Sequence, residues 1–140
     1  MASYGNLAAF LTSSRNLMLA GTRPDGRPHL TPNWFHWDGE HFYVSTTRAR
    51  VKYRIFKRNN RAQLAVDDPA NLRAVLIPAT VQIREDIATQ LAYFRAIREK
   101  YGMQALSDQE HLESLIAEGR VLLVITPDAP AARWTCWGFD

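Results

Sequence analysis

The chain has a single cysteine, Cys136, among 140 residues. An internal disulfide is therefore excluded, as is any metal site built on paired cysteines. The four histidines, His29, His36, His41 and His111, fall at no metal-ligating spacing, so no metal site is expected. Glycine is scarce too: before residue 100 only Gly5, Gly21, Gly26 and Gly39 occur. Neither the GxGxxG turn of dinucleotide-binding folds nor the Gly-rich phosphate loop of nucleotide triphosphatases can be assembled from them. No apolar run approaches the ~20 residues that a membrane-spanning helix needs. The opening MASYGNLAAFLTSSR lacks the charged start and long apolar centre of a secretory signal, so a cytoplasmic protein without membrane association is expected.

The most informative deficit is local. No Asp or Glu occurs between Glu40 and Asp67, whereas seven of the seventeen Lys and Arg residues lie between Arg48 and Arg61. The net charge is only +3, so the excess is concentrated in one stretch, STTRARVKYRIFKRNNR.

With 46% apolar residues the chain fits one domain over 1–140. Leu17–Thr22, His29–Trp37 and Glu40–Thr46 read as strands joined by Pro24-Asp25-Gly26 and Asp38-Gly39 turns, a β-meander. RAQLAVDD and RAVLIPATVQI continue the strand pattern, and Pro78 within the second predicts an edge or a bulge. RVLLVIT is apolar and β-branched enough for the centre of a sheet, and ARWTCWGFD reads as a terminal strand. Helices are predicted at Asn6–Leu11, from Arg48 through Phe56, and over Ile87–Tyr101. A Ser107/Glu110 capping box opens another that runs to about Glu118. The fold class expected is α+β, mainly antiparallel sheet with helices at the connections.

The basic stretch thus falls where a strand runs into a helix. Unpaired N–H groups at a helix start, cap hydroxyls from Ser45, Thr46 and Thr47, and Arg and Lys charges together make an anion site suited to phosphate. At helical spacing Arg48 and Lys52 share one face, and Arg50 and Arg54 roughly the opposite one. Two other readings stand beside this one. The helix is merely solvated and held by Val51 and Ile55, or it contacts nucleic-acid phosphates nonspecifically with Tyr53 and Phe56 nearby. No second basic run elsewhere matches the nucleic-acid reading, so no nucleic-acid partner is expected.

The order of these motifs resembles a known family. Residues 21–69 carry Pro24-Asp25-Gly26-Arg27-Pro28, Thr31-Pro32-Asn33-Trp34-Phe35, Asp38-Gly39, Ser45-Thr46-Thr47, Arg50-Val51-Lys52 and the basic segment Arg54 to Arg61. This series resembles the N-terminal half of the split-barrel flavin and deazaflavin oxidoreductases, which include the pyridoxamine 5'-phosphate oxidases, and is most similar to the branch using coenzyme F420. The resemblance implies a six-stranded antiparallel split β-barrel of the FMN-binding type. It also implies a homodimer with two cofactor sites between subunits.

By the same resemblance the cofactor phosphate lies at Ser45, Thr46, Thr47, Arg50, Val51 and Lys52, with Arg50 and Lys52 as its main charges. The ring lies along Thr31, Pro32, Asn33 and Trp34. The implied activity is hydride transfer from reduced F420 to an unsaturated small-molecule acceptor. FMN-dependent oxidoreductase chemistry, or non-catalytic binding of flavin, deazaflavin or haem, are its alternatives. No catalytic residue is assigned, because the cofactor carries such chemistry. Trp34, His36, Trp134 and Trp137 are candidates for lining the pocket. The chain departs from the family pattern at Pro78-Ala79, where an Arg-Gly pair is common, at Ile55-Phe56, and at Asn59-Asn60.

Overall fold

The first strand, β1 (Leu17–Thr22), turns successive side chains to opposite faces, so that Leu17, Leu19 and Gly21 are buried while Met18 and Ala20 are half-buried. The computed structural model describes residues 4–139. Helix α1 (Tyr4–Thr12) precedes β1. After it come β2 (Pro28–Asn33), β3 (His36–Trp37), β4 (Phe42–Thr47), α2 (Val51–Arg58), β5 (Arg61–Asp68) and β6 (Arg73–Arg84). The chain continues with α3 (Ile87–Lys100), α4 (Asp108–Ala117), β7 (Arg120–Pro127) and β8 (Thr135–Trp137). As the sequence predicts, Ser107 and Glu110 form a reciprocal capping box on α4.

Every strand pairing is antiparallel, and the sheet runs β2-β1-β5-β6-β7-β4-β3, with β8 added to β6. Its two edge strands, β2 and β3, are consecutive in the chain and separated only by Trp34 and Phe35. Laid flat, such a path would hold its edges roughly 29 Å apart, yet the backbone from Asn33 to His36 spans at most about 11 Å. The sheet must therefore curl into a barrel that is split at this link. Phe10, Leu17, Leu19, Phe35, Phe42, Leu64, Ile77 and Leu123 fill its interior.

The strands β1, β2, β4, β5, β6 and β7 are the six of the expected barrel, and the short β3 and β8 bring the sheet to eight. The one strand anticipated over His29–Trp37 is two. Its first part pairs with β1 and its second with β4, on opposite edges of the sheet. β7 is central, between β6 and β4, as its apolar run predicts.

Pro78 does not lie on an outer edge, but its position explains itself. Its carbonyl accepts from the Asp128 amide at 2.9 Å, so its N–H-lacking nitrogen faces the same side. On that side Pro78 sits between the β8 pairing, which stops at Leu76, and the β7 pairing, which starts at Ala79. No ladder donor is needed there.

The cap expected from Ser45, Thr46 or Thr47 is not made. Arg50 is the N-cap residue of α2, and its side chain makes no cap hydrogen bond. The reason is register: β4 stays paired with β7 through Thr47 opposite Arg120, so these residues end in strand before the helix begins.

Candidate functional site

Helix α2 rests on β1 at Gly21. A Cβ at this position would lie 2.7 Å from Ile55 Cγ2 and 3.0 Å from the Phe56 ring, so the missing side chain permits close contact. Ile55 and Phe56 form the buried face of α2, and Lys52, three and four residues earlier, shares it. Packing of the two apolar residues thus carries a lysine inside, to 8% exposure.

Lys52 Nζ donates to Asn33 Oδ1 at 2.7 Å. The amide nitrogen of Asn33 donates to the Thr31 carbonyl at 2.9 Å, to Thr31 Oγ1 at 3.2 Å and to the Leu17 carbonyl at 3.4 Å. These acceptors fix the carboxamide with its oxygen toward Lys52. Among the described residues neither Lys52 nor Arg50 has an ion-pair partner. Burial lowers the Lys52 pKa from the ordinary lysine value, and the charge on Arg50 lowers it further. A desolvated ammonium with one neutral acceptor is an incomplete arrangement that an anion completes.

Pro32, Asn33, Trp34, Ser45, Thr46, Thr47, Arg50 and Lys52 line one cavity of ≈ 270 Å³. Two residues expected with them stand behind it: Thr31 orients Asn33, and Val51 packs on the core. Arg48 does not accompany Lys52. It pairs with Glu85 at 3.0 Å, and the same carboxylate accepts from the Tyr53 hydroxyl at 3.0 Å and lies 3.7 Å from Lys57. Arg58 donates to the Thr22 carbonyl. These cations fasten α2 and the turn before it to the end of β6 and to β1.

Sequence reasoning missed the remaining wall: Phe94, Ile97 and Arg98 from α3, and Arg120 from β7. Phe94 and Ile97 signal a packed helical face but not which surface it meets. Arg120 becomes visible only through its pairing opposite Thr47. It donates to Ser45 Oγ at 3.3 Å, pairs with Glu118, and lies over the Phe94 ring at 5.3 Å.

Trp34 is the aromatic wall of the cleft, stacked on Tyr101 with ring centres 4.7 Å apart and planes 6° from parallel. The other aromatic candidates lie elsewhere. His36 contacts Tyr43 and Tyr93, each at 5.9 Å. Trp134 is buried against Trp37 and Phe42, and Trp137 is exposed on β8. Among the described residues no group of three or more His, Cys, Asp or Glu side chains could hold a metal ion, and no helix is long and apolar enough to cross a membrane.

A split antiparallel barrel whose basic cleft beside the seam is lined by no carboxylate among the described residues defines a flavin-type split-barrel protein. The chain belongs to the pyridoxamine 5'-phosphate oxidase family, whose model it matches over residues 5–131. Among solved structures it is similar to an F420 reductase, with 29% identity and a TM-score of 0.71 over 86% of this chain and 92% of that one. It is also similar to the conserved hypothetical protein Rv2991 from Mycobacterium tuberculosis, with 26% identity and a TM-score of 0.83 over 98% of this chain and 85% of that one. HutZ, a heme storage protein from Vibrio cholerae, shares the fold at 16% identity and a TM-score of 0.72 over 92% of each chain. No curated protein matches the chain.

Proposed function

We propose that the protein is an F420-dependent reductase that acts on an unsaturated small molecule. The observation that carries this reading is Lys52, buried and with no carboxylate partner among the described residues, beside Arg50 and the Thr46 and Thr47 side chains. The 29% identical F420 reductase supports F420 over FMN as the resident cofactor.

The residues present fit such a group. Lys52 and Arg50 supply two positive charges, unpaired among the described residues, for a phosphate, with the hydroxyls of Thr46 and Thr47 as added donors. The indole of Trp34, held flat by Tyr101, offers a planar apolar surface to a ring. When bound, reduced F420 supplies the hydride. The chain's own residues bind the phosphate, orient the ring and shield it from water, and no side chain of the cleft is assigned as proton donor. At ≈ 270 Å³ the cavity is smaller than the range of about 300–1,000 Å³ usual for drug-sized ligands. A second copy of the chain supplies the missing wall in this proposal. The exposed Leu30, on the free edge strand β2 that leads into the cleft, gives it an apolar foothold.

Titration of the purified protein with F420, followed by the cofactor's fluorescence, tests the reading. Micromolar binding, with acceptor-dependent oxidation of the reduced cofactor, is expected. Binding of FMN or haem with none of F420 overturns it. A monomeric mass by light scattering for the cofactor-loaded protein refutes the shared site.

A further inference from the structure

Three cations of the cleft are accounted for: Lys52 and Arg50 face the phosphate position, and Arg120 is neutralised by Glu118. Arg98 is not. It stands on α3, one residue beyond Ile97 and four beyond Phe94, between the same cleft and a smaller cavity of ≈ 30 Å³ that Gln104 lines. Only its Nη2 is engaged, donating to the Gln104 carbonyl at 3.1 Å. Its Nε is buried with no hydrogen-bond partner, and its Nη1 makes no hydrogen bond among the described residues. Nor does it meet a carboxylate within ion-pair distance among them. Its guanidinium instead lies 6.0 Å from the centre of the Phe94 ring.

The surroundings specify what would complete it. Phe94 and Ile97, buried and apolar, precede Arg98 on α3 and line the cleft with it. A guanidinium with free donors beside apolar surface recognises a planar carboxylate carried on an apolar body. It sits on a different element from the α2 cations, so one phosphate need not engage both. We infer that Arg98 is a second anion position of this cleft, and that the acceptor is a small unsaturated molecule bearing a carboxylate. This rests on the cleft being the cofactor and substrate site. The same chemistry has a second possible source, a carboxylate on the cofactor itself, and the experiment separates the two.

Cinnamate and its neutral isostere cinnamamide are titrated calorimetrically into the F420-loaded and the cofactor-free protein, for wild type, R98Q and R98K. Thermal melts establish that each variant is folded, and the charge-preserving R98K keeps the comparison available should R98Q fold poorly. Wild type is expected to bind cinnamate at least about tenfold more tightly than cinnamamide, the worth of one charge-assisted hydrogen bond. R98Q loses that preference, R98K keeps part of it, and F420 affinity in both stays within about twofold of wild type.

A preference for cinnamate that survives in R98Q overturns the assignment, as does failure of cinnamate to bind either form at millimolar concentration. Loss of F420 affinity in R98Q with the cinnamate preference intact also overturns it, by giving Arg98 to the cofactor. An Arg98-dependent preference for cinnamate in a protein that fails to bind F420 supports the carboxylate position and removes the F420 reading instead.

Discussion

Replacing Lys52 by methionine separates anion binding from folding. Methionine keeps an unbranched apolar stem on the face shared with Ile55 and Phe56 and deletes only the charged head. In the ligand-free protein two effects oppose. Removing a desolvated, uncompensated charge is favourable, whereas leaving Asn33 Oδ1 without its 2.7 Å donor costs about 1–3 kcal/mol. The net change is expected within ~1 kcal/mol, or roughly 4 °C in melting temperature for a domain of this size.

Under the proposed function binding responds differently, because loss of a charge-assisted bond from Lys52 to the cofactor phosphate would cost about 1.5–3 kcal/mol, a factor of roughly 10 to 150 in Kd. A cofactor at ~100 times the wild-type Kd stabilises wild type by about 2.7 kcal/mol, but a variant bound 100-fold more weakly by only about 0.4 kcal/mol. Melting curves with and without cofactor measure both quantities in one assay. The pH dependence adds a check of sign. The Lys52 pKa is lowered in the fold, so the unfolded chain binds more protons above the folded value. Lys52 therefore destabilises the protein fully at low pH, and this eases as pH rises toward the ordinary lysine value of 10.5. The methionine variant should lack that rise. A ligand-free loss of more than about 3 kcal/mol would make Lys52 structural, and an unchanged Kd would remove it from the site.

Three further perturbations reach the same region. Gly21→Ala places a methyl 2.7 Å from Ile55 Cγ2; it should cost about 1–3 kcal/mol and weaken cofactor binding, since Lys52 rides on the displaced helix. Wild-type melting and affinity together would refute the close contact. Burial lowers the Lys100 pKa to about 8, so its ¹³Cε resonance should titrate there rather than at the ordinary value of 10.5. Stability should rise with pH between those values, where the unfolded chain still holds the proton. Tyr101→Leu removes the ring beneath Trp34, a stack worth about 0.5–1.5 kcal/mol, and should alter the near-ultraviolet circular dichroism and weaken ring binding; an unchanged spectrum would mean the stack is not formed.

What was legible in the sequence was local. RAQLAVDD and RVLLVIT announce strands by alternation or β-branched content, Asp38-Gly39 announces a turn, and Ser107 with Glu110 announces a helix start. The order of motifs over residues 21–69 carried the family. What was hidden depends on pairing between distant segments. Nothing in PNWFHW says that Asn33 belongs to one edge of the sheet and His36 to the other, because both halves have strand chemistry. The threonines of STTRAR are plausible caps until β7 is known to hold them in the ladder. Arg48 and Lys52 share a helical face by spacing, but the proximity of Glu85 gives them separate roles. The α3 wall was unreadable for the same reason: periodicity shows that Phe94 and Ile97 pack, not that they pack beside Arg50 and Lys52.

The seam shows why α3 matters to a cleft whose recognisable motifs lie elsewhere. A barrel split between β2 and β3 leaves the linking residues outside any strand ladder, yet Phe35 is fully buried and its backbone groups must be paired. The last residues of α3 and its C-cap supply the partners. The Phe35 amide donates to the Tyr101 hydroxyl at 3.3 Å, and the Phe35 carbonyl accepts from Lys100 Nζ at 2.9 Å. The same lysine donates to the Leu11 carbonyl at 3.1 Å, and the same tyrosine donates to the Arg15 carbonyl, which ties the C-terminal end of α1 and the segment after it to the seam. Tyr101 also carries the stack that holds Trp34. One helix therefore closes the break in the barrel, orients the aromatic wall and contributes Phe94, Ile97 and Arg98 to the cleft. Deprotonation of Lys100 leaves an amine that still has two hydrogens for its two carbonyls, so the seam should survive its titration. Replacing Lys100 by methionine, by contrast, orphans the buried Phe35 carbonyl at about 1–3 kcal/mol and loosens the wall on which Trp34 depends.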